Sequence, residues 1–361
     1  MNVYKEYFSD DYFQARKRFR EQATAIGCHL EHRDVDDNNG DLKIDVAEFG
    51  PSESDNVCIV ISGLHGIEGY MGSAIQLHYL AEHAASPQQS RFAFIHAANP
   101  FGFANLRRCD ADNVDLNRNF LLGSETYCGS PPRYKDLDSM LNPPSRHQGG
   151  DFFTLKALAR IALYGMQALK ESIATGQYDF PKGLFFGGNE LSSTSALIAE
   201  LIAQVAGGAS RIAVVDLHSG LGAFGSHKVM LNTHDEVLYA KFASMFDQRF
   251  VERFGATDGV AYQARGTLGD WVLDRFDDRQ TLYGMLEMGT YHSLRILSSM
   301  RAENQAHFYN DRDDETYHQV KAELKECFCP ENETWRRTAT TVGCSVIKQI
   351  AGGLVSPSTS S

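Results

Sequence analysis

Four short apolar runs constrain this chain more than any other feature: VCIVIS at 57–62, FAFIH at 92–96, RIAVVDL at 211–217 and TLYGMLEM at 281–288. Each has the length of a strand and is apolar at nearly every position, as a strand buried on both faces must be. Stretches with helical spacing lie between them. Strands alternating with helices predict an α/β fold: a single domain with a central mixed, largely parallel sheet flanked by helices. Ligands of such sheets bind beyond the carboxyl ends of the strands. His65, Glu68, His218 and Glu287 all fall there.

The rest of the chain fits around these runs. Ser9, followed by Asp10 and Asp11, reads as the N-cap of an opening amphipathic helix on which Tyr12, Ala15, Phe19, Ala23 and Ile26 recur at helical spacing. Leu42, Ile44 and Val46 alternate with polar residues behind the turn-forming DDNNG, which predicts an early hairpin at a sheet edge. Helices are expected over 71–84, from a cap at Asp151 to a stop at Gly176, and from Ser192 or Ser193 to Gly207. The polar, Gly/Pro/Ser-rich stretch 123–150 is either a functional loop or lid, or a surface insertion. FFGGNE, at 185–190, lacks a following Lys-Ser/Thr and is not read as a phosphate loop. With no internal repeat and no convincing linker, one domain is expected over 1–350. Its motif-bearing core spans about 57–290, a helical C-terminal part about 291–350, and a flexible tail 351–361.

Composition narrows the function classes. With 43% hydrophobic and 22% charged residues among 361, core size is not limiting. A formal net charge of −12 and no long basic run argue against a nucleic-acid partner. No signal-like start and no apolar run of membrane-spanning length are visible, so the reading is a cytoplasmic protein without a membrane partner. Seven cysteines without framework spacing read as reduced thiols. Oligomeric state is left open.

The chemistry-bearing residues sit at the strand ends. In SGLHGIEGY (62–70) an imidazole and a carboxylate three residues apart, on a glycine-punctuated loop, can turn onto one ion. His218, at the end of RIAVVDLHSG, supplies a third ligand. Two histidines and one glutamate are the donor set of catalytic zinc, because three protein ligands leave a position open. Asp216 lies two residues before His218 and shares its face of the strand, which makes it a candidate support for that ring.

Together with these, five segments resemble, in order, the zinc carboxypeptidase superfamily, which includes the pancreatic carboxypeptidases, succinylglutamate desuccinylase and aspartoacylase. HGIE resembles the ligand pair; NPFGF, LRR and VDLNRN resemble the asparagine-proline and arginine segments; LHS resembles the third ligand; YQARGTLGDW and LEMGT resemble the tyrosine and catalytic-glutamate segments. The resemblance covers about 57–290, and the nearest relatives implied are bacterial proteins filed as a domain of unknown function. It implies that Zn²⁺ is held by His65, Glu68 and His218, and that Glu287 is the general base and acid. It implies that Arg107, or Arg108 in its place, polarises the scissile carbonyl. Asn117 and Arg118 would clamp a substrate carboxylate, Tyr262 would close over the substrate, and Asp115 would hold the free ring nitrogen of His65. Gly269, just before Asp270-Trp271, takes the place at the bottom of the specificity pocket and leaves no side chain to read.

The expected activity is hydrolysis of an amide in a small carboxylate-bearing substrate. The first form is a metallocarboxypeptidase-like enzyme on short peptides, and the alternative is an N-acyl amino acid deacylase. Further behind lies a non-catalytic carboxylate-binding protein, against which every chemical position being filled is the argument.

Overall fold

Asp11, rather than Ser9, caps the first helix. In the computed structural model of the protein, its carboxylate accepts a hydrogen bond from Gln14 N at 2.8 Å. The helix, α1, runs Tyr12–Ala25 and buries Tyr12, Ala15, Phe19 and Ala23, the stripe expected from their spacing. The structure describes residues 6–35, 41–82, 84, 86–150, 152–254 and 264–355.

Strands β1 (His29–Asp34) and β2 (Lys43–Phe49) pair antiparallel at one edge of the sheet, as the alternation of Leu42, Ile44 and Val46 predicts. The DDNNG run between them lies outside the described residues. VCIVIS forms β3 (Asn56–Ser62), which leads through the HGIE loop into α2 (Gly69–Glu82), β4 (Arg91–His96) and the short α3 (Pro100–Ala104). Asn99 caps α3 by accepting from Gly102 N at 2.9 Å, with Pro100 at its first position.

The stretch 123–150 contains a helix, α4 (Tyr134–Leu141), anchored by buried Tyr134, Leu137 and Leu141. The long helix expected up to Gly176 is two helices, α5 (Phe153–Tyr164) and α6 (Met166–Ala174), because Gly165 between them takes φ +81° and breaks the ladder. Asp151, the expected cap, lies outside the described residues. Ser192 does cap α7 (Ser193–Ala206), accepting from Ser195 N at 3.1 Å.

The second half supplies β5 (Arg211–Gly220), β6 (His227–Asn232), α8 (Glu236–Ala243), β7 (Val251–Arg253), α9 (Leu268–Arg275) and β8 (Gln280–Gly289). Three helices complete the C-terminal part: α10 (Ser293–Tyr309), α11 (Glu315–Phe328) and α12 (Glu333–Val355). Helix α12 runs on past residue 350 because Ala351, Gly353 and Leu354 are buried, so the expected tail cannot begin at 351.

The eight strands form one mixed sheet in the order β1-β2-β4-β3-β5-β8-β6-β7. Its centre, β4-β3-β5-β8, is parallel, and β2 and β6 join it antiparallel on either side. After their first residue, β3, β5 and β8 are buried along their whole length, as strands covered on both faces must be. Helices α2 and α12 pack on β3 and β5, and α1 packs on α2. Among the described residues no helix is long and apolar enough to cross a membrane. All seven cysteines are free thiols.

Candidate active site

The parallel centre of the sheet delivers His65, His218 and Glu287 to one end. His65 follows β3, Glu68 ends the tight 3-10 turn Gly66–Glu68, and His218 and Glu287 lie near the ends of β5 and β8. The HGIE loop is fastened to the LRR segment by Gly66 N donating to Arg108 O at 3.0 Å and Ile67 N to Arg107 O at 2.7 Å. Glycine is required at 66 because any Cβ there would lie 2.2 Å from the backbone of Gly102. Two segments some forty residues apart in the sequence are thereby welded into one wall.

The three expected ligands converge. His65 Nδ1 lies 2.9 Å from Glu68 Oε1, His218 Nδ1 lies 2.9 Å from Glu68 Oε2, and the two Nδ1 atoms are 3.1 Å apart. One ligand atom from each residue falls within 4.8 Å of the others, and all three residues are buried. Two imidazole nitrogens turned onto each other around one carboxylate fit a cation held in common, and the donor set is that of catalytic zinc. Both Nε2 atoms point away toward carboxylates: His65 to Asp115 Oδ1 at 3.3 Å and His218 to Asp216 Oδ2 at 2.8 Å. Such partners fix ring orientation and raise ligand basicity. Tyr283 Oη donates to the same Asp216 oxygen at 2.7 Å, a support that the sequence reading missed. Its one legible signal was the two-residue spacing that puts Tyr283, Met285 and Glu287 on a common face of β8.

Charge follows from burial and partners. Burial works against charge on Asp115, but Arg108 and then His65 outweigh it and hold the carboxyl well below its usual range. Arg108 Nε donates to Asp115 Oδ2 at 2.8 Å, and its Nη1 lies 3.5 Å from Glu68 Oε1. For His218, burial is opposed by Asp216 and Glu68, which together raise its pKa well above the usual imidazole value. Glu287 behaves in the opposite way to Asp115. Burial, then repulsion from Glu68, push it up to about 8, although Leu221 N donates to its Oε1 at 2.7 Å.

Of the two candidate arginines, the structure brings only Arg108 to the cleft. Arg107 is turned the other way and is 1% exposed, its Nε 3.0 Å from Glu303 and its Nη2 donating to Asn113 and Asn304 at 2.9 Å each. Of the pair it is thus Arg108, the alternative to Arg107, that lines the cleft. Asn117 and Arg118 both line the cleft. Asn117 Oδ1 is held by Leu268 N at 3.0 Å, and the Arg118 guanidinium bonds to the carbonyls of Ala174 and Asn117 with its face on Phe185. Tyr262 lies outside the described residues. Gly269 does not line the cleft: it faces the ring of Tyr283, where a Cβ would come within 2.8 Å.

A cavity of about 190 Å³ opens over the cluster, lined by His65, Glu68, Arg108, Asn117, Arg118, His218 and Glu287 together with apolar residues of α5, α6, α10 and the sheet. The mixed eight-stranded sheet flanked by helices matches the carboxypeptidase-like fold of solved structures. Bovine thrombin-activatable fibrinolysis inhibitor, in complex with tick carboxypeptidase inhibitor, is similar with a TM-score of 0.53 at 11% identity, over 96% of this chain and 97% of that one. A second structure of thrombin-activatable fibrinolysis inhibitor gives 0.52 at 11% identity over 96% and 74%. Murein-tripeptide amidase MpaA from Escherichia coli O157 gives 0.41 at 16% identity over 79% and 95%. The chain belongs to the DUF2817 family, described as "Protein of unknown function", which it matches over residues 8–342. No curated protein matches the chain.

Proposed function

We propose that this protein is a metal-dependent hydrolase, with zinc as its metal, that cleaves an amide in a small carboxylate-bearing substrate. The observation that carries the reading is the convergence of His65, Glu68 and His218 on one point with Glu287 beside them in the same cleft. His65, Glu68 and His218 would hold the metal, which when bound supplies a Lewis acid and lowers the pKa of water.

The remaining parts follow from the chain's own side chains. Glu287, steadied by Leu221 N, accepts a proton from the attacking water and returns it to the leaving nitrogen. Arg108, anchored on Asp115, directs its guanidinium at the oxygen that becomes negative. Asn117 and Arg118, which line the cleft, would receive the substrate carboxylate. Burial of the whole cluster strengthens each of these interactions.

Two substrate forms share this machinery: a carboxypeptidase acting on short peptides, and an N-acyl amino acid deacylase. The second is favoured by one observation, the apolar, methionine-rich lining of the cleft. The test is hydrolysis of free-carboxylate dipeptides, their C-terminal amides and N-acyl amino acids, each with and without a chelator. Turnover that requires metal and a free carboxylate is the expected result. Metal-independent turnover would remove the metal from this reading, and no turnover with any of the three series would remove the hydrolase reading.

A further inference from the structure

The lining of the cleft has an unusual composition. Met140, Met166, Met230, Met285 and Met300 all belong to it. They are five of the nine methionines in the chain, drawn from α4, α6, β6, β8 and α10. Ile161, Leu169 and Ile173 from the α5–α6 pair and Leu294 and Leu297 from α10 fill the intervals. Methionine is unbranched and flexible, so a surface built of it adapts to ligands that are themselves flexible, whereas a rigid ring is better matched by fixed branched or aromatic walls. The five come from elements far apart in sequence, so they are brought to one cavity by the fold and not by a local repeat.

The charge of the lining is the reverse of the chain's. The protein carries −12 formally, yet the cleft is lined by Arg108, Arg118, Arg160 and Lys170 against two carboxylates, Glu68 and Glu287. A ligand matching this surface is an amphiphilic anion with a carboxylate head and a flexible apolar body.

The geometry points to N-acyl amino acids with unbranched acyl chains as the substrate class, the chain lying along the methionine wall and the carboxylate among the arginines. This rests on the hydrolase reading above. Cleavage adds water across the amide: the C–N bond breaks, hydroxyl goes to the acyl carbon and the proton to nitrogen, giving a fatty acid and a free amino acid.

The test separates binding from turnover. Linear carboxylic acids from butyrate to dodecanoate, the products' acyl half, are titrated calorimetrically into metal-free protein, and acetyl, butyryl, octanoyl and dodecanoyl glycine are assayed with the metal-loaded protein. Each added methylene should tighten binding and raise kcat/KM roughly fourfold until the chamber is filled. Met166→Glu, at a partly exposed lining position, should flatten both series, and Leu163→Glu, on the exposed face of the same helix pair, should leave them unchanged. Amides cleaved with no dependence on chain length would overturn this inference and leave the hydrolase reading standing. Chain-length-dependent binding without cleavage would support the ligand class and sink the hydrolase reading; flat binding and no cleavage would sink both.

Discussion

His218 and Glu287 are direct register partners on the adjacent parallel strands β5 and β8. Side chains of paired residues in neighbouring strands leave the sheet on the same face, so the pairing alone brings the proposed metal ligand and the proposed proton-transfer group to one cleft. A slip of one residue in either strand would send one of them to the opposite face. Because Glu287 is not one of the three converging ligands, Glu287→Gln should bind one zinc per chain as wild type does and lose roughly 10²–10⁴-fold in kcat. Elemental analysis and steady-state kinetics on the same preparations check both halves. A variant with near wild-type kcat would transfer the proton-handling role elsewhere.

The two neighbouring arginines should separate cleanly. Arg107 is ion-paired to buried Glu303, which also holds Lys321 Nζ at 2.5 Å. Arg107→Ala opens this network and should lower the denaturation midpoint, with a cost of up to about 3–5 kcal/mol for a broken buried pair. Arg108→Ala should fold more nearly normally and lose about 10²–10³-fold in kcat. An Arg107 variant that is stable but inactive, beside an active Arg108 variant, would reverse the two assignments.

His96 gives a pH dependence of stability that is independent of the active site. It is fully buried at the end of β4, stacked on Phe19 at 4.3 Å, with Nε2 2.9 Å from Ser73 Oγ. Burial lowers its pKa to about 4; its cross-strand partner Asp45 pulls the other way, but Arg16 and Arg20 already neutralise that carboxylate. Between pH 6.5 and about 4 the unfolded chain therefore binds a proton that the native one does not. Stability falls as pH falls through this window, by at most roughly 1.4 kcal/mol per unit from this site. Urea midpoints of wild type and His96→Gln at pH 7 and pH 5 measure it. The variant should lose less on acidification, and equal losses would count against the assignment.

What was legible in the sequence was local. The buried strands, the HGIE turn and the Ser192 cap each announce themselves within a few residues, and motif order singles out His65, Glu68 and His218, which the fold brings within reach of one another. What was not legible depended on direction and distance. Arg107 and Arg108 are adjacent, and only the path of the loop bonded to Gly66 and Ile67 decides which one faces the cleft. Gly165 splits a helical pattern that is periodic on both sides of it. The methionine wall could not be foreseen, since its members are scattered from 140 to 300 and each alone reads as ordinary core.

Gly269 shows the same gap between motif and geometry, and it yields a test of how the ligand His218 is held. By its place in the motif it marked the bottom of a specificity pocket, but in the fold it lies against the ring of fully buried Tyr283, with no room for a Cβ. The Tyr283 hydroxyl bonds Asp216, and Asp216 contacts Nε2 of His218, so a push on the ring is transmitted to the proposed metal ligand two contacts away. Tyr283→Phe removes the hydroxyl at constant shape and should weaken zinc binding about 10-fold or more, as loss of such supporting partners does. Gly269→Ala should weaken it in the same direction and also cost about 1–3 kcal/mol of stability through overpacking. If the alanine acts through that hydroxyl, it should weaken zinc no further once Tyr283 is already Phe, while still lowering the unfolding midpoint. Competition against a chromophoric chelator reads the affinities, and unchanged zinc binding in Tyr283→Phe would show that Asp216 orients His218 without help.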